Sequence, residues 1–133
     1  MLIALKKNDG SVSIMKVIKD GVDIDEEVKK VPGLSDKVES WNEIDESSVP
    51  KDRYFRNAWT HDLSIDMDKA KSIHMDVIRE KRDEKLKELD IETLKGNDVQ
   101  EEKQALRDLP QTFDLSKADT PEKLKKLWPK ELI

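Results

Sequence analysis

Side chains with catalytic or metal-binding chemistry are few in this 133-residue sequence, which holds two histidines and no cysteine. His74 lies near Asp76 and Glu80 in a stretch with helical spacing, and this is the one grouping to consider as a metal site. On a helix, however, positions two residues apart point about 200° apart, so His74 and Asp76 cannot bind one ion. Protein metal sites need several converging ligands. We therefore expect a partly buried, hydrogen-bonded His74 that shares a helical face with Ile78.

The other common catalytic patterns are also missing. Acidic pairs such as Glu26 and Glu27 are frequent because acids are frequent, and their spacing is not specific to acid and base catalysis. No serine lies in a G-x-S-x-G turn, and the four glycines form no phosphate-binding loop. Without cysteine, thiolate zinc sites and a cysteine nucleophile are excluded. We predict no catalytic residue, no cofactor and no metal, and hence a binding or assembly module rather than an enzyme.

The composition limits the classes of partner. Charged residues make up 41% of the chain and hydrophobic residues 35%, and the net charge of −5 is spread evenly. Because no basic patch is available to neutralise phosphates, we expect no nucleic-acid partner. No apolar run reaches the roughly 18 residues of a membrane span, and the N-terminal run is too short for a signal peptide. We expect a soluble, intracellular protein with no membrane partner.

The pattern of residues 1–66 predicts a small β-rich region. Two apolar runs, 2–5 and 12–18, flank KKNDGS, a cluster typical of a hairpin turn. A short helix, IDEEVKKV, should begin at an Asp23 cap and stop at Pro32-Gly33. A third strand is expected at residues 37–44.

The segment DRYFRNAWT, residues 52–60, carries three of the six aromatic residues within six positions. An aromatic side chain buries about 150 to 250 Å², so the favoured interpretation is that Tyr54, Phe55 and Trp59 fill the core. An exposed platform for a partner is the alternative, since such residues are enriched at binding hot spots. Arg53 and Arg56 flank the aromatics and could equally pair with the acids of residues 43–46.

Residues 67–109 have the pattern of a helical hairpin. Apolar positions at helical spacing predict one helix from Met67 to about residue 95, with an uninterrupted charged stretch at 79–85. Gly96 suits a left-handed C-terminal cap, and Asp98 suits the N-cap of a second helix that Pro110 should end. The second helix should bury Val99, Leu106 and Leu109 against the first.

Residues 110–133 should form a tail with one short helix that begins at Thr120-Pro121. The predicted class is therefore α+β: a small hairpin or sheet packed on a long helix, then an antiparallel helical hairpin and a short C-terminal helix. We assign these parts to a single domain, residues 1–133. Trp128 is expected to anchor the tail, which would partly cover the apolar stripe of the hairpin.

Four sequence features carry a resemblance to known proteins: DRYFRNAWT, the helix start DMDKAKSIHMDVIR, KQALRDLP and the terminal LWP. Over most of its length the chain resembles small uncharacterised proteins encoded beside tail-fibre genes in tailed bacteriophages, particularly those of alphaproteobacteria. The C-terminal half is also similar to tail fibre assembly proteins. Their last third is likewise helical, with an LR or LRD-like element followed by WP, here residues 105–109 and Trp128-Pro129.

The resemblance implies a chaperone or accessory protein that holds fibre chains until they trimerise or attach. The expected partner is then a phage tail or fibre protein, and the expected location is the host cytoplasm, with incorporation in the virion as the alternative. One alternative is a structural subunit of the virion, a tail or fibre adaptor; another is an inhibitor of a host protein. Six residues are the predicted partner contacts: Arg82, Lys85, Leu94, Val99, Tyr54 and Trp128.

Overall fold

The computed structural model describes all 133 residues and confirms the α+β class, with a three-stranded antiparallel sheet, one long helix and further short helices. The chain divides into two compact units, Met1–Asp66 and Met67–Ile133. The division falls where the β-rich pattern gives way to the helical one.

The first unit is built on a three-stranded antiparallel sheet with the first strand at its centre. Its strands are β1 (Leu2–Lys7), β2 (Val12–Lys16) and β3 (Val38–Ile44), in the order β2-β1-β3. The β1–β2 turn needs a positive φ, which Gly10 supplies at 83°. Strand β3 spans nearly the residues that the sequence predicts.

The register of the sheet sorts its side chains into two faces. Leu5 pairs with Ser13 and Trp41, whereas Ala4 pairs with Ile14 and Asn42. Because neighbouring residues of a strand point to opposite faces, these two sets lie on opposite sides of the sheet.

One face of the sheet packs on helix α1 (Ile24–Lys29). The N-cap of α1 is the predicted Asp23, whose carboxylate accepts from the Asp25 N–H at 2.9 Å. The buried members of this core are Ile3, Leu5, Val17, Ile24 and Val28. Short 3₁₀ helices at Ser35–Lys37, Glu46–Ser48 and Arg56–Ala58 complete the unit.

The second unit contains α2 (Met67–Leu94), α3 (Gln100–Thr112), α4 (Pro121–Lys126) and a terminal 3₁₀ helix, Lys130–Leu132. Helix α2 ends at the predicted left-handed Gly96, with φ 90°. The Gly96 N–H donates to the Thr93 carbonyl at 3.0 Å, and the Asn97 N–H donates to the Glu92 carbonyl at 3.0 Å. This pair of bonds is the Schellman cap, which closes the helix at that residue.

Two predicted boundaries of α3 are wrong. The N-cap is Val99 rather than Asp98, so the helix begins one residue later than predicted. The Asp98 carboxylate accepts from the Gln100 N–H at 3.3 Å. Pro110 lies inside the helix instead of ending it. Because proline stands only two residues before the end, little hydrogen bonding is lost, and the last turn is closed by the Phe113 N–H on the Leu109 carbonyl at 2.9 Å.

Helices α2 and α3 pack along the predicted apolar stripe. The buried cluster is Leu89, Leu106 and Leu109, and partly buried Leu86, Val99, Phe113 and Leu132 pack against it. Helix α4 starts at the predicted Thr120 cap, whose hydroxyl accepts from the Lys123 N–H at 3.2 Å, and Pro121 follows at the first helical position.

Candidate functional site

An open groove runs along the hairpin of the second unit. Its volume is about 330 Å³, and it is lined by Lys85, Leu89, Glu101, Glu102, Ala105, Leu106 and Glu131. Lys85 and Leu89 are four residues apart on α2, and Glu102 and Leu106 are four apart on α3, so each pair lies on one helix face. The groove is therefore the trough between two helices, with the terminal 3₁₀ helix contributing Glu131.

The floor of the groove is apolar and continuous with the hairpin core. Leu89 and Leu106 are 6% and 2% exposed, and both belong to the buried cluster. Ala105 is exposed on the groove wall, where its small side chain leaves the space open. An apolar side chain of a partner could enter here against a surface that is already packed.

The rim of the groove is acidic. Three carboxylates, those of Glu101, Glu102 and Glu131, stand against one ammonium, that of Lys85. The Lys85 Nζ lies 3.8 Å from a carboxylate oxygen of Glu88, which offsets its charge further. The groove therefore favours a partner segment that carries lysine or arginine next to an apolar anchor.

A buried ion pair ties the two helices together. The Lys103 side chain is 7% exposed, and its Nζ lies 2.8 Å from Asp90 Oδ1, the carboxylate of a side chain that is 64% exposed. Lys103 is one of two buried polar or charged residues in the chain. A buried ammonium is stable only with a partner, so this pair fixes α3 against α2 at the level of the groove.

The tip of the hairpin exposes two large aliphatic side chains. Ile91 is 54% exposed and Leu94 is 88% exposed. They are three residues apart and share a face of α2, whereas Ile91 is two residues from Leu89 and points away from the groove. The hairpin thus has an apolar pair on its outer face in addition to the groove.

The charged stretch of α2 is exposed at every position except Arg82. No residue is buried between Ile78 and Leu89. Arg82, one of the predicted contacts, pairs with the next residue: its Nε and Nη2 donate to Asp83 Oδ1 at 3.0 and 2.9 Å. Its side chain is 20% exposed, so it offers little surface to a partner.

The remaining predicted contacts are distributed over different parts of the molecule. Lys85 lines the groove, Leu94 is exposed at the tip, and Val99 is half-buried against the hairpin core. Tyr54 lies in the first unit, half-buried and edge-on to Phe55 with ring centroids 4.6 Å apart. Burial, and next the charge of Asp52, raise the pKa of the Tyr54 hydroxyl.

Trp128 anchors the tail through the helical histidine. Its indole N–H donates to the Lys125 carbonyl at 3.0 Å, and its ring stands edge-on to His74 with centroids 5.1 Å apart. His74 is fully buried, and its Nε2–H donates to the Leu127 carbonyl at 2.8 Å. The prediction of a satisfied histidine sharing a buried face with Ile78 is confirmed. Burial lowers the pKa of His74, and the bond to Leu127 opposes that shift.

No group of three or more histidine, cysteine or acidic side chains is arranged to hold a metal ion. None of the helices combines the length and the apolar character that crossing a membrane requires. Comparison with known proteins gave no matching family model, no matching curated protein and no matching solved structure.

The groove contains residues that sequence reasoning missed. Glu101, Glu102 and Ala105 are polar or small positions beside the apolar stripe of α3, and Glu131 lies in a tail expected to cover the stripe. The exposure of Ile91 could have been predicted from the sequence. A helical projection places Ile91 outside the stripe formed by Leu86 and Leu89.

Proposed function

We propose that this chain is a non-catalytic protein-binding module that serves a tailed bacteriophage as a tail fibre assembly chaperone or accessory protein. The phage setting is supported by the sequence resemblance. The binding role is supported by one observation, the apolar groove with an acidic rim between α2 and α3.

The groove defines the chemistry of the proposed ligand. Leu89, Ala105 and Leu106 would receive an apolar anchor, and the three rim carboxylates would face a neighbouring lysine or arginine of the partner. Leu94 and Ile91, exposed at the tip, would extend the contact around α2. The occupant is thus a segment of a tail or fibre subunit with an apolar side chain beside basic ones.

The central test is a substitution that fills the groove. Ala105→Arg places a long cationic side chain in it at an exposed helical position, where the free energy of unfolding should change by less than about 0.5 kcal/mol. The matched control is Gln104→Arg, which adds the same charge at the adjacent exposed position. Gln104 lies outside the groove and donates to Asp108 at 3.0 Å.

Tagged parent and variant proteins are used to capture partners from phage-infected cells, with identification by mass spectrometry. We expect the parent and Gln104→Arg to capture a tail or fibre protein and Ala105→Arg to lose it, with unchanged circular dichroism melts. Capture by Ala105→Arg at the parental level would eliminate the groove. Leu94→Asp then tests whether the tip is the contact instead.

The identity of the captured protein distinguishes the alternatives. A host protein recovered in place of a phage protein would replace the chaperone proposal with host inhibition. If the partner is a tail or fibre protein, immunoblotting of purified particles separates the remaining roles. An assembly chaperone should be absent from particles, whereas a structural subunit should be present at fixed stoichiometry.

A further inference from the structure

Two successive turns of the first unit bring three side chains to one side of the chain. The Arg56 N–H donates to the Arg53 carbonyl at 3.1 Å, and the Trp59 N–H donates to the Arg56 carbonyl at 3.3 Å. With hydrogen bonds between residues three apart, side chains at that spacing stand above one another. Arg53, Arg56 and Trp59 accordingly line one cavity of about 200 Å³.

The opposite wall of this cavity is strand β2. Val12, Ser13 and Ile14 complete the lining. Ile14 pairs with Ala4, so the side chains of Val12 and Ile14 lie on the sheet face that carries Ala4, opposite the face packed on α1. The cavity therefore has an aliphatic side and a cationic side.

The cavity is lined by two cations without acidic partners and by a tryptophan whose enclosed indole N–H has no acceptor. Trp59 is 5% exposed, and its indole N–H makes no hydrogen bond. Arg53 and Arg56 are exposed and make no ion pair within 4.0 Å, so the pairing with acids of residues 43–46 that the sequence allowed is absent. No acid lines the cavity. A buried donor without an acceptor is costly, and the indole N–H can only donate.

Trp59 is held in place by a small hairpin of its own. It forms an antiparallel bridge with Ile65, and the Asp66 N–H donates to the Ala58 carbonyl at 2.9 Å. The turn of this hairpin is fixed by Asp62, which accepts from the Thr60 hydroxyl and from the Ser64 N–H and hydroxyl. These bonds hold the pKa of Asp62 well below its usual range. These bonds fix the place of Trp59 in the cavity wall.

We propose that this cavity binds a carboxylate on a short aliphatic stem, such as a glutamate side chain or a small aliphatic dicarboxylic acid. The guanidinium forks of Arg53 and Arg56 match the two oxygens of a carboxylate, and Trp59 lines the same cavity, so its indole resonance can report a bound ligand. The methylene stem lies against Val12 and Ile14, which inorganic phosphate could not use. This site is in the first unit and does not depend on the proposed role of the helical hairpin.

The test uses purified full-length protein labelled with ¹⁵N. Each of the three tryptophans gives one indole N–H resonance, and Trp59→Phe assigns that of Trp59. Titration with glutarate should shift the Trp59 resonance saturably, while those of Trp41 and Trp128 stay in place. Failure of the Trp59 resonance to move at millimolar glutarate overturns the proposal.

Paired variants test the cationic side. Arg53→Gln with Arg56→Gln should weaken glutarate binding, measured by calorimetry, roughly a hundredfold, since each charge-assisted hydrogen bond contributes about tenfold or more. The control, Lys19→Gln with Lys51→Gln, removes the same charge from exposed positions outside the cavity and should bind as the parent does. If both double variants weaken glutarate binding equally, the effect is one of net charge, and the proposed site is overturned.

Two further ligands define the chemistry and its source. Inorganic phosphate that binds as tightly as glutarate, through the same arginines, overturns the carboxylate assignment. A short peptide with a central glutamate is compared with its glutamine counterpart. Tighter binding of the glutamate peptide than of glutarate identifies a protein segment as the source, and tighter binding of glutarate identifies a free acid; either result supports the carboxylate site.

Discussion

Asp90→Asn should destabilise the helical hairpin, because Asp90 pairs with the buried ammonium of Lys103. The N···O distance is 2.8 Å, with side-chain exposures of 7% for Lys103 and 64% for Asp90. Two unit charges about 4 Å apart attract by about 1 kcal/mol in water and about 4 kcal/mol at an effective dielectric constant of 20. Since one partner is solvated and the other is not, we expect a loss of about 1 to 3 kcal/mol in the free energy of unfolding.

The loss should depend on the presence of the ammonium. Lys103→Met replaces the buried cation with an apolar chain of similar length, a change that is often neutral or stabilising. On that background Asp90→Asn should cost less than about 0.5 kcal/mol, so the two substitutions should be coupled by about 0.5 to 3 kcal/mol. Urea unfolding followed by circular dichroism, with an unchanged m-value, measures all four proteins. An equal cost of Asp90→Asn in both backgrounds would refute the ion-pair argument.

Three other predictions concern the second unit. Leu106→Ala should lower the free energy of unfolding by about 2 to 5 kcal/mol, measured by urea unfolding, because the Leu106 side chain is 2% exposed. Leu94→Ala, at a side chain that is 88% exposed, should change it by less than about 0.5 kcal/mol. Similar costs for the two substitutions would contradict the assigned core. The pKa of His74 is lowered in the folded protein, so the unfolded chain takes up the proton first, and stability should fall as pH drops below about 6.5, by at most about 1.4 kcal/mol per pH unit. His74→Gln should flatten that slope between pH 7.5 and 5.5, and an unchanged slope would assign it to other groups. Thr120→Ala should lower the free energy of unfolding by about 0.5 to 2 kcal/mol, because the hydroxyl that caps α4 is lost. Thr120→Ser keeps the hydroxyl and should cost little. Thermal melts that do not distinguish the two variants would contradict the role of the cap.

Local patterns predicted most of the elements, because their physical causes are local. KKNDGS predicted the β1–β2 turn, Gly96 the end of α2, and Thr120-Pro121 the start of α4, and each is present. Each signal is a backbone preference or a cap that acts within a few residues. Local rules failed at Pro110, where the loss of one hydrogen bond near a helix end is too small to stop the helix.

The proposed binding surfaces could be predicted from the sequence only in fragments. Lys85 and Leu94 are predicted contacts because of their places along α2, and in the structure they lie at the groove and at the exposed tip. The groove itself requires α2, α3 and Glu131 of the tail to come together, and nothing local specifies which polar positions will form its rim. Trp59 was correctly expected to be buried, but its unpartnered N–H became visible only with the strand and turns around it.

The sequence by itself determined the α+β class, the turns, the caps and the apolar stripe of the hairpin, because residues a few positions apart decide these features. Tertiary structure decided the ion pair of Lys103 with Asp90, the bond of His74 to Leu127, and the cavity that Arg53 shares with β2. In the first two, a polar group is buried by residues distant in sequence, and in the third the fold brings residues 53–59 against β2. For Lys103 and His74 the partner is fixed by the requirement that buried polar groups be satisfied, which is a property of the folded arrangement and not of any one segment.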